Sequence, residues 1–284
     1  MVAAPALTAQ APPPAPLVLR LPGTVRFAGL NGAGTAMFGD AGSVFVNPAG
    51  IATIRHIAAE GAYRPSVRGG HLATGALAWR IRQFDLGGGL QYLSAGVDPA
   101  LGPGRPHEAL ATGSLVYRFG LIAAGVSAKT VQVTTSGIEQ RGWGGDLGLA
   151  IAVFDIMAIG FSMQNVGGNF NHRSTLAMPR LTRVGFTMNY VDPQESFRLL
   201  SALEVQWPQG RRARWVIGGE GGTVIKGVGV VGRLGYGSRW PNYQPSSMTY
   251  GGSVVLSRHI EADYSYEPSP VAESRHRVGL RLKL

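Results

Sequence analysis

Residues 275–283 place His276, Val278, Leu280 and Leu282 at every second position and set Arg275, Arg277, Arg281 and Lys283 between them. A period of two belongs to an extended strand, whose successive side chains point to opposite faces. One face here is oily and the other carries four cations. The alternation recurs upstream. Phe84, Leu86, Leu90 and Tyr92 oppose Asp85, Gly87, Gly89 and Gln91. Val184, Phe186, Met188 and Tyr190 oppose Arg183, Gly185, Thr187 and Asn189, and Ile260, Ala262, Tyr264 and Tyr266 oppose Glu261, Asp263, Ser265 and Glu267.

About fourteen such segments follow one another, beginning near His56, Gly70, Gln83, Glu108, Leu121, Arg141, Ile156, Arg180, Ser196, Arg211, Val228, Met248, His259 and Ser274. Their spacing suits a membrane-spanning strand of about 9 to 11 residues plus a connection. Arg82-Gln83, Phe119-Gly120, Phe154-Asp155, Lys226-Gly227 and Arg258-His259 form tight even-numbered joints. The odd-numbered joints, at residues 96–107, 166–179, 238–247 and 267–273, are longer and rich in Pro, Asn and Gly. Short turns at one rim and longer loops at the other are the asymmetry of an outer-membrane barrel. A sheet in hydrocarbon tolerates no unpaired edge, so it must close. The predicted fold is all-β: a transmembrane antiparallel up-and-down β-barrel of about fourteen strands.

On this register Arg80, Asp85, Arg118, Asp146, Arg183, Arg198, Glu204, Arg212, Arg214, Glu220, Arg233, Glu261, Asp263, Glu267, Arg275, Arg277 and Arg281 project into the lumen. An Arg or Lys at the lipid midplane would cost about 2 to 4 kcal/mol. Tyr92, Tyr117, Phe119, Tyr190, Trp207, Trp215, Tyr236 and Tyr266 fall toward strand ends on the outward face, where interfacial girdles belong. Residues 147–163 are apolar apart from Asp155, but Gly148 and Gly160 weaken a helix and Asp155 sits where a hairpin turn is wanted, so two strands are expected there. A soluble all-β binding module is the alternative, because a sandwich also alternates.

Composition agrees with the barrel. Charged residues are 15% of the chain, against roughly a quarter in an average soluble domain, and too few to cover a soluble surface. The 26 basic and 16 acidic residues give a net charge of +10. The basic residues are spread singly, with only Arg211 and Arg212 adjacent and no basic run interleaved with aromatics, which argues against nucleic acid as a partner. Cysteine is absent, and the six histidines lack the i, i+4 spacing of a metal pair, so no metal or other cofactor is expected. The segment from Gly29 to Gly34 has the glycines of a dinucleotide loop but no βαβ unit around it, and neither a phosphate loop nor a G-x-S-x-G elbow occurs. Inward carboxylates among so many inward arginines suggest a salt-bridged wall rather than paired catalytic acids, and no covalent chemistry is expected.

The first sixteen residues, MVAAPALTAQAPPPAP, hold a short apolar stretch and then Ala9-Gln10-Ala11, which suits signal-peptide cleavage, although a positive n-region is missing. Residues 1–16 are expected to be a signal-peptide remnant or a disordered Ala/Pro tail.

Residues 31–52 read NGAGTAMFGDAGSVFVNPAGIA, too glycine-rich for a good helix and too poor in charge for a solvated linker. Gly39-Asp40-Ala41-Gly42-Ser43 followed by Asn47-Pro48-Ala49-Gly50-Ile51-Ala52, ahead of a barrel, resembles the N-terminal region of the FadL-type hydrophobic-compound transporters and the related PorV and PorQ proteins. The resemblance implies a hatch folded inside the lumen, spanning residues 17–55 and centred on 23–54, with Asp40, Ser43, Asn47, Pro48, Ala49 and Gly50 as its motif and residues 56–284 as the barrel. It implies the bacterial outer membrane, outer-membrane lipid as surroundings, and passage of a fatty-acid-like or other small amphipathic compound. The PorV/PorQ side of the likeness implies instead a barrel that binds exported cargo or a secretion-system partner. Two departures stand out: the chain is shorter than typical FadL-type transporters, which implies reduced extracellular loops, and it ends in Leu284 rather than an aromatic residue. A basic lumen wall would favour ligands with an anionic head.

Overall fold

The computed structural model describes residues 14–66, 69–96, 105–154, 156–171, 174–191, 197–226, 228–238, 246–269 and 274–284. Fourteen antiparallel strands form one closed barrel. They are β1 (Ile57–Pro65), β2 (His71–Ile81), β3 (Phe84–Ser94), β4 (His107–Phe119), β5 (Ile122–Thr135), β6 (Ile138–Val153) and β7 (Met157–Phe170), followed by β8 (Leu181–Val191), β9 (Phe197–Pro208), β10 (Arg214–Ile225), β11 (Val228–Gly237), β12 (Met248–Val255), β13 (Ile260–Glu267) and β14 (Arg275–Lys283). Each strand pairs with its sequence neighbours, and β1 closes on β14 from Ala58 opposite Lys283 to Tyr63 opposite Val278. Every edge is therefore paired, as hydrocarbon requires.

The two faces of the wall are unlike. Outward, Leu90 is 65%, Trp143 63% and Trp79 52% exposed, while inward Asp85 is 0%, Glu204 2% and Arg281 4% exposed. A soluble barrel would have the opposite distribution, with its oily residues inside. The soluble-module alternative is thereby set aside. Aromatic and histidine rings pack across neighbouring strands at the rim where the longer loops emerge: Tyr63 with His71, His71 with Tyr92, and Tyr92 with His107. Tyr266 joins the same band through Tyr250 and His276. Such amphipathic rings suit the headgroup level.

Three details differ from the sequence-based expectation. The β5–β6 joint is odd-numbered yet tight, because Ser136 and Gly137 both adopt positive φ (51° and 77°), the requirement of a two-residue hairpin turn. Strand β7 continues to Phe170, so residues 166–170 belong to the wall rather than a loop. Asn165 and Gly167 take positive φ there, and the β6–β7 register shifts beside them, which is a bulge. Arg212 does not project into the lumen but sits exposed between β9 and β10. Asp155, Ser196, Gly227 and much of the 96–107, 238–247 and 267–273 joints lie outside the described residues.

Residues 14–55 fill the barrel. Pro14 accepts a hydrogen bond from the amide of Ala177 in the β7–β8 connection, at the long-loop rim, and the chain descends to enter β1 at the other rim. It forms 3₁₀ turns at Leu17–Leu19, Ala41–Phe45 and Pro48–Ile51 and one short helix, α1 (Val25–Gly29), capped by the Thr24 hydroxyl on the Phe27 amide. The apolar core lies between this segment and the wall: Val44, Ile51 and Ile54 pack with Ala78 and Val116, and Phe27, Leu30 and Met37 pack with Ala202 and Val216.

Replacing the outward, mid-strand Leu280 by Arg is expected to cost about 2 to 4 kcal/mol of stability in lipid, and the same change at Phe119, the rim-end residue of β4, about 0 to 1 kcal/mol. Denaturant unfolding from vesicles, followed by tryptophan fluorescence, would check the ratio.

Candidate functional site

The lumen holds two adjoining features: a polar seam that fixes the N-terminal segment, and a cavity beside it. Asn47 organises the first. Its side-chain oxygen accepts from the Ala49 amide at 3.0 Å, and its amide nitrogen donates to the carbonyls of Thr35 at 2.8 Å and Leu149 of β6 at 3.2 Å. One side chain thus caps the Pro48–Ile51 turn, ties it to its own chain and pins it to the wall. Ser43 donates to Met37 O, and the Gly39 amide donates to Gly50 O, closing the same loop. The inward glycines of β6 and β7 permit this approach: a Cβ at Gly148 would lie 2.1 Å from Asn47 Oδ1, and one at Gly160 would lie 2.0 Å from Thr35 O.

Wall side chains then satisfy the segment's backbone. Ser162 donates to Val46 O at 2.6 Å, Gln164 to Phe45 O at 2.8 Å, Thr187 to Ala36 O at 2.8 Å and Thr249 to Gly29 O at 3.0 Å. Glu204 accepts from both the Gly34 and Thr35 amides at 2.9 Å. Cations reach carbonyls as well: Arg80 to Ala52, Arg183 to Gly32 and Arg277 to Pro22 and Thr24.

Asp40 is the ionic hub. It is 2% exposed and lies 2.5 Å from Arg26 Nη1, 2.6 Å from Lys283 Nζ and 3.3 Å from Arg281 Nη1. Burial alone would push its carboxyl up, but Lys283, Arg26 and Arg281 hold it well below the usual carboxylate range. Burial likewise opposes the Arg26 charge, and Glu220 and Asp40 outweigh it to keep the guanidinium protonated. The network continues through the wall: Arg26 to Glu220 at 2.6 Å, Glu220 to Arg233 at 3.0 Å, Arg233 to Asp263 at 2.8 Å, and Arg281 to both Asp263 and Glu261 at 2.6 Å.

The sequence-based lumen residues separate into clusters. Arg233, Glu261, Asp263 and Arg281 join the Asp40 hub. Arg80 and Arg118 flank Asp85 at 3.2 and 2.8 Å, Arg183 pairs with Glu204 at 3.1 Å, and Asp146 pairs with Lys129 at 2.7 Å. Arg198 shares the inward parity of β9 but lies exposed at its end, away from the others. Sequence reasoning passed over Lys129 and Gln164, which inward parity alone would have found, and Arg26, whose short helix gives no such signal. Among the described residues no three His, Asp or Glu side chains group to hold a metal.

The second feature is a cavity of about 110 Å³ in the half of the lumen near the long loops, bounded by Val18, Leu21, Phe45 and Leu110 on one side and by Arg183, Gln206 and Arg214 on another. Arg180 and Arg211, both outside the strands, also line it.

Removing a partner from a buried ion pair costs about 3 to 5 kcal/mol, so Asp40→Asn is expected to loosen the segment and raise ion leak through the barrel in planar bilayers. Because the Asp40 carboxyl is depressed, its stabilising contribution is complete above about pH 4, the ordinary carboxylate value, and is lost only as pH falls further through the native value. Asp40→Asn should therefore leak more than the unaltered protein at about pH 8 and at about pH 5, and the two should converge only in stronger acid.

No family model and no curated protein matches the chain. Solved structures do. A TodX deltaS2S3 mutant described as a monoaromatic hydrocarbon channel aligns with a TM-score of 0.61 at 9% identity, covering 91% of this chain and 97% of that one. The CymD monoaromatic hydrocarbon channel aligns with a TM-score of 0.61 at 14% identity, covering 94% and 98%. A Pseudomonas aeruginosa FadL homologue aligns with a TM-score of 0.58 at 12% identity, covering 92% and 98%. This chain has the fold of the FadL-type channels over nearly its whole length.

Proposed function

We propose that the protein lies in the bacterial outer membrane and passes small hydrophobic or amphipathic compounds through its lumen, with residues 17–55 acting as a hatch and Asp40, Ser43, Asn47, Pro48, Ala49 and Gly50 as the hatch motif. The observation that carries this reading is the way the segment is held. It touches the wall through hydrogen bonds, ion pairs and small side chains, with no covalent tie and no cysteine in the chain, so it can shift without breaking a strand. An apolar and a basic boundary meet at the adjoining cavity. The fold neighbours described as hydrocarbon channels support the same reading. The chemistry is passage, not bond making: Asp40, Asp146, Glu204, Glu220, Glu261 and Asp263 each lie against a cation, in ion pairs rather than as an acid and base facing one substrate.

The reading as a secretion-associated barrel rests on the N-terminal motif alone. Recovery of a stoichiometric translocon component or exported protein with the solubilised barrel would support it.

Reconstitution into liposomes tests the passage reading. Uptake of a labelled small amphiphile is expected to exceed that of protein-free liposomes, and deletion of residues 23–54 is expected to raise ion conductance. Uptake equal to that of empty liposomes would contradict the proposal.

A further inference from the structure

The cavity beside the N-terminal segment has unlike sides. Val18, Leu19 and Leu21 of the segment, with Phe45 and with Leu110 of β4, form a mainly apolar side, where Arg20 and Lys129 of β5 also line the cavity, Lys129 being held by Asp146 at 2.7 Å and Asn165 at 3.0 Å. Three adjacent strands form the other: Arg183 of β8 lies opposite Gln206 of β9, which lies opposite Arg214 of β10. One step toward the rim, Arg180 precedes β8 and Arg211 lies in the β9–β10 connection. Among the described residues lining the cavity the one carboxylate is Glu267, and Arg275 holds it at 2.8 Å.

The inner and outer arginines differ in occupation. Arg183 is shared between Glu204 at 3.1 Å and Gly32 O at 3.2 Å. Arg214 donates to Ser238 O at 2.9 Å, Asn31 O at 3.3 Å and Gln206 Oε1 at 3.5 Å, and also to Asn31 Oδ1. Arg180 and Arg211 make no salt bridge among the described residues, and Arg180 is exposed while Arg211 is half-buried.

Building on the passage reading, we infer that this cavity selects a compact carboxylate, a single ring or short chain bearing one anionic group, over the uncharged hydrocarbon of the same shape, and that Arg180 and Arg211 determine that preference. Size sets the first limit. A volume near 110 Å³ is close to the roughly 150 Å³ void that holds one benzene, and well below the several hundred Å³ that a larger ligand needs. The enclosed space suits one ring or a short chain better than a long acyl chain. Charge sets the second. A guanidinium fork and a carboxylate make paired, charge-assisted hydrogen bonds, which are about twice as strong as neutral ones. A hydrocarbon offers these cations nothing and removes water from them, which costs free energy. The ligand's ring would lie toward Phe45 and Leu110 and its carboxylate toward β8–β10.

Equilibrium dialysis of the detergent-solubilised full chain at pH 7 with ring-labelled benzoate tests the inference, with toluene and palmitate as competitors. Saturable benzoate binding that neither competitor displaces is expected. The Arg180→Gln/Arg211→Gln double variant should weaken it about tenfold, the equivalent of one charge-assisted hydrogen bond, and Arg180→Lys/Arg211→Lys, which keeps the charge but not the fork, should restore it only in part. Neither residue holds the N-terminal segment, so a fold control on heat-modified electrophoretic mobility should read as in the unaltered protein. Displacement by toluene at the same concentration as unlabelled benzoate, or unchanged benzoate affinity in the glutamine variant, would overturn the inference. Liposome flux separates it from the passage reading. Toluene entering as fast as benzoate sinks the selectivity and leaves passage standing, whereas benzoate binding without any flux sinks passage and leaves the site.

Discussion

Satisfaction of backbone hydrogen bonds in hydrocarbon is the constraint from which the remaining features follow. Fourteen strands with alternating faces must close, and closure drives the polar half of every strand into one narrow space. The wall brings an excess of cations there, and its own carboxylates do not occupy all of their donors. Residues 14–55 supply what is missing. Arg26 and Asp40 extend the ionic network, while the carbonyls of Pro22, Thr24, Gly32 and Ala52 accept from Arg277, Arg183 and Arg80. The segment is therefore part of the electrostatic balance of the barrel as well as its filling.

The contacts are unequal along the lumen. Toward the short-turn rim the Asp40 hub ties the segment to β14, the strand that closes the barrel on β1. Toward the long-loop rim the segment is held by hydrogen bonds from Arg183, Arg214 and Gln164 to its carbonyls, beside the cavity. The cavity end thus relies mainly on guanidinium-to-carbonyl hydrogen bonds, and the hub end on ion pairs.

The wall was legible in the sequence because a period of two, repeated over many strands and bracketed by turn residues, leaves little freedom in register. The starts of all fourteen strands fall within a few residues of their observed positions, and inward arginines and carboxylates such as Arg233 and Asp263 lie where alternation places them. The discrepancies have local causes. Ser136-Gly137 made a tight turn from a joint expected to be long, and the bulge at Asn165 and Gly167 carried β7 into a presumed loop. The interior was less readable. Nothing periodic links Asp40 to Lys283 or Asn47 to Leu149, because those pairings arise only once the barrel has closed around the segment.

Site-directed spin labelling in lipid vesicles tests most directly the claim that lipid lies outside and a charged lumen inside. Labels at Leu86, Phe186 and Leu280 should collide with membrane-dissolved oxygen and be shielded from a water-soluble nickel complex, while labels at Arg183 and Arg277 should show low oxygen accessibility. Water-exposed labels at the three apolar positions, together with acyl-chain contact at the two arginine positions, would contradict the account.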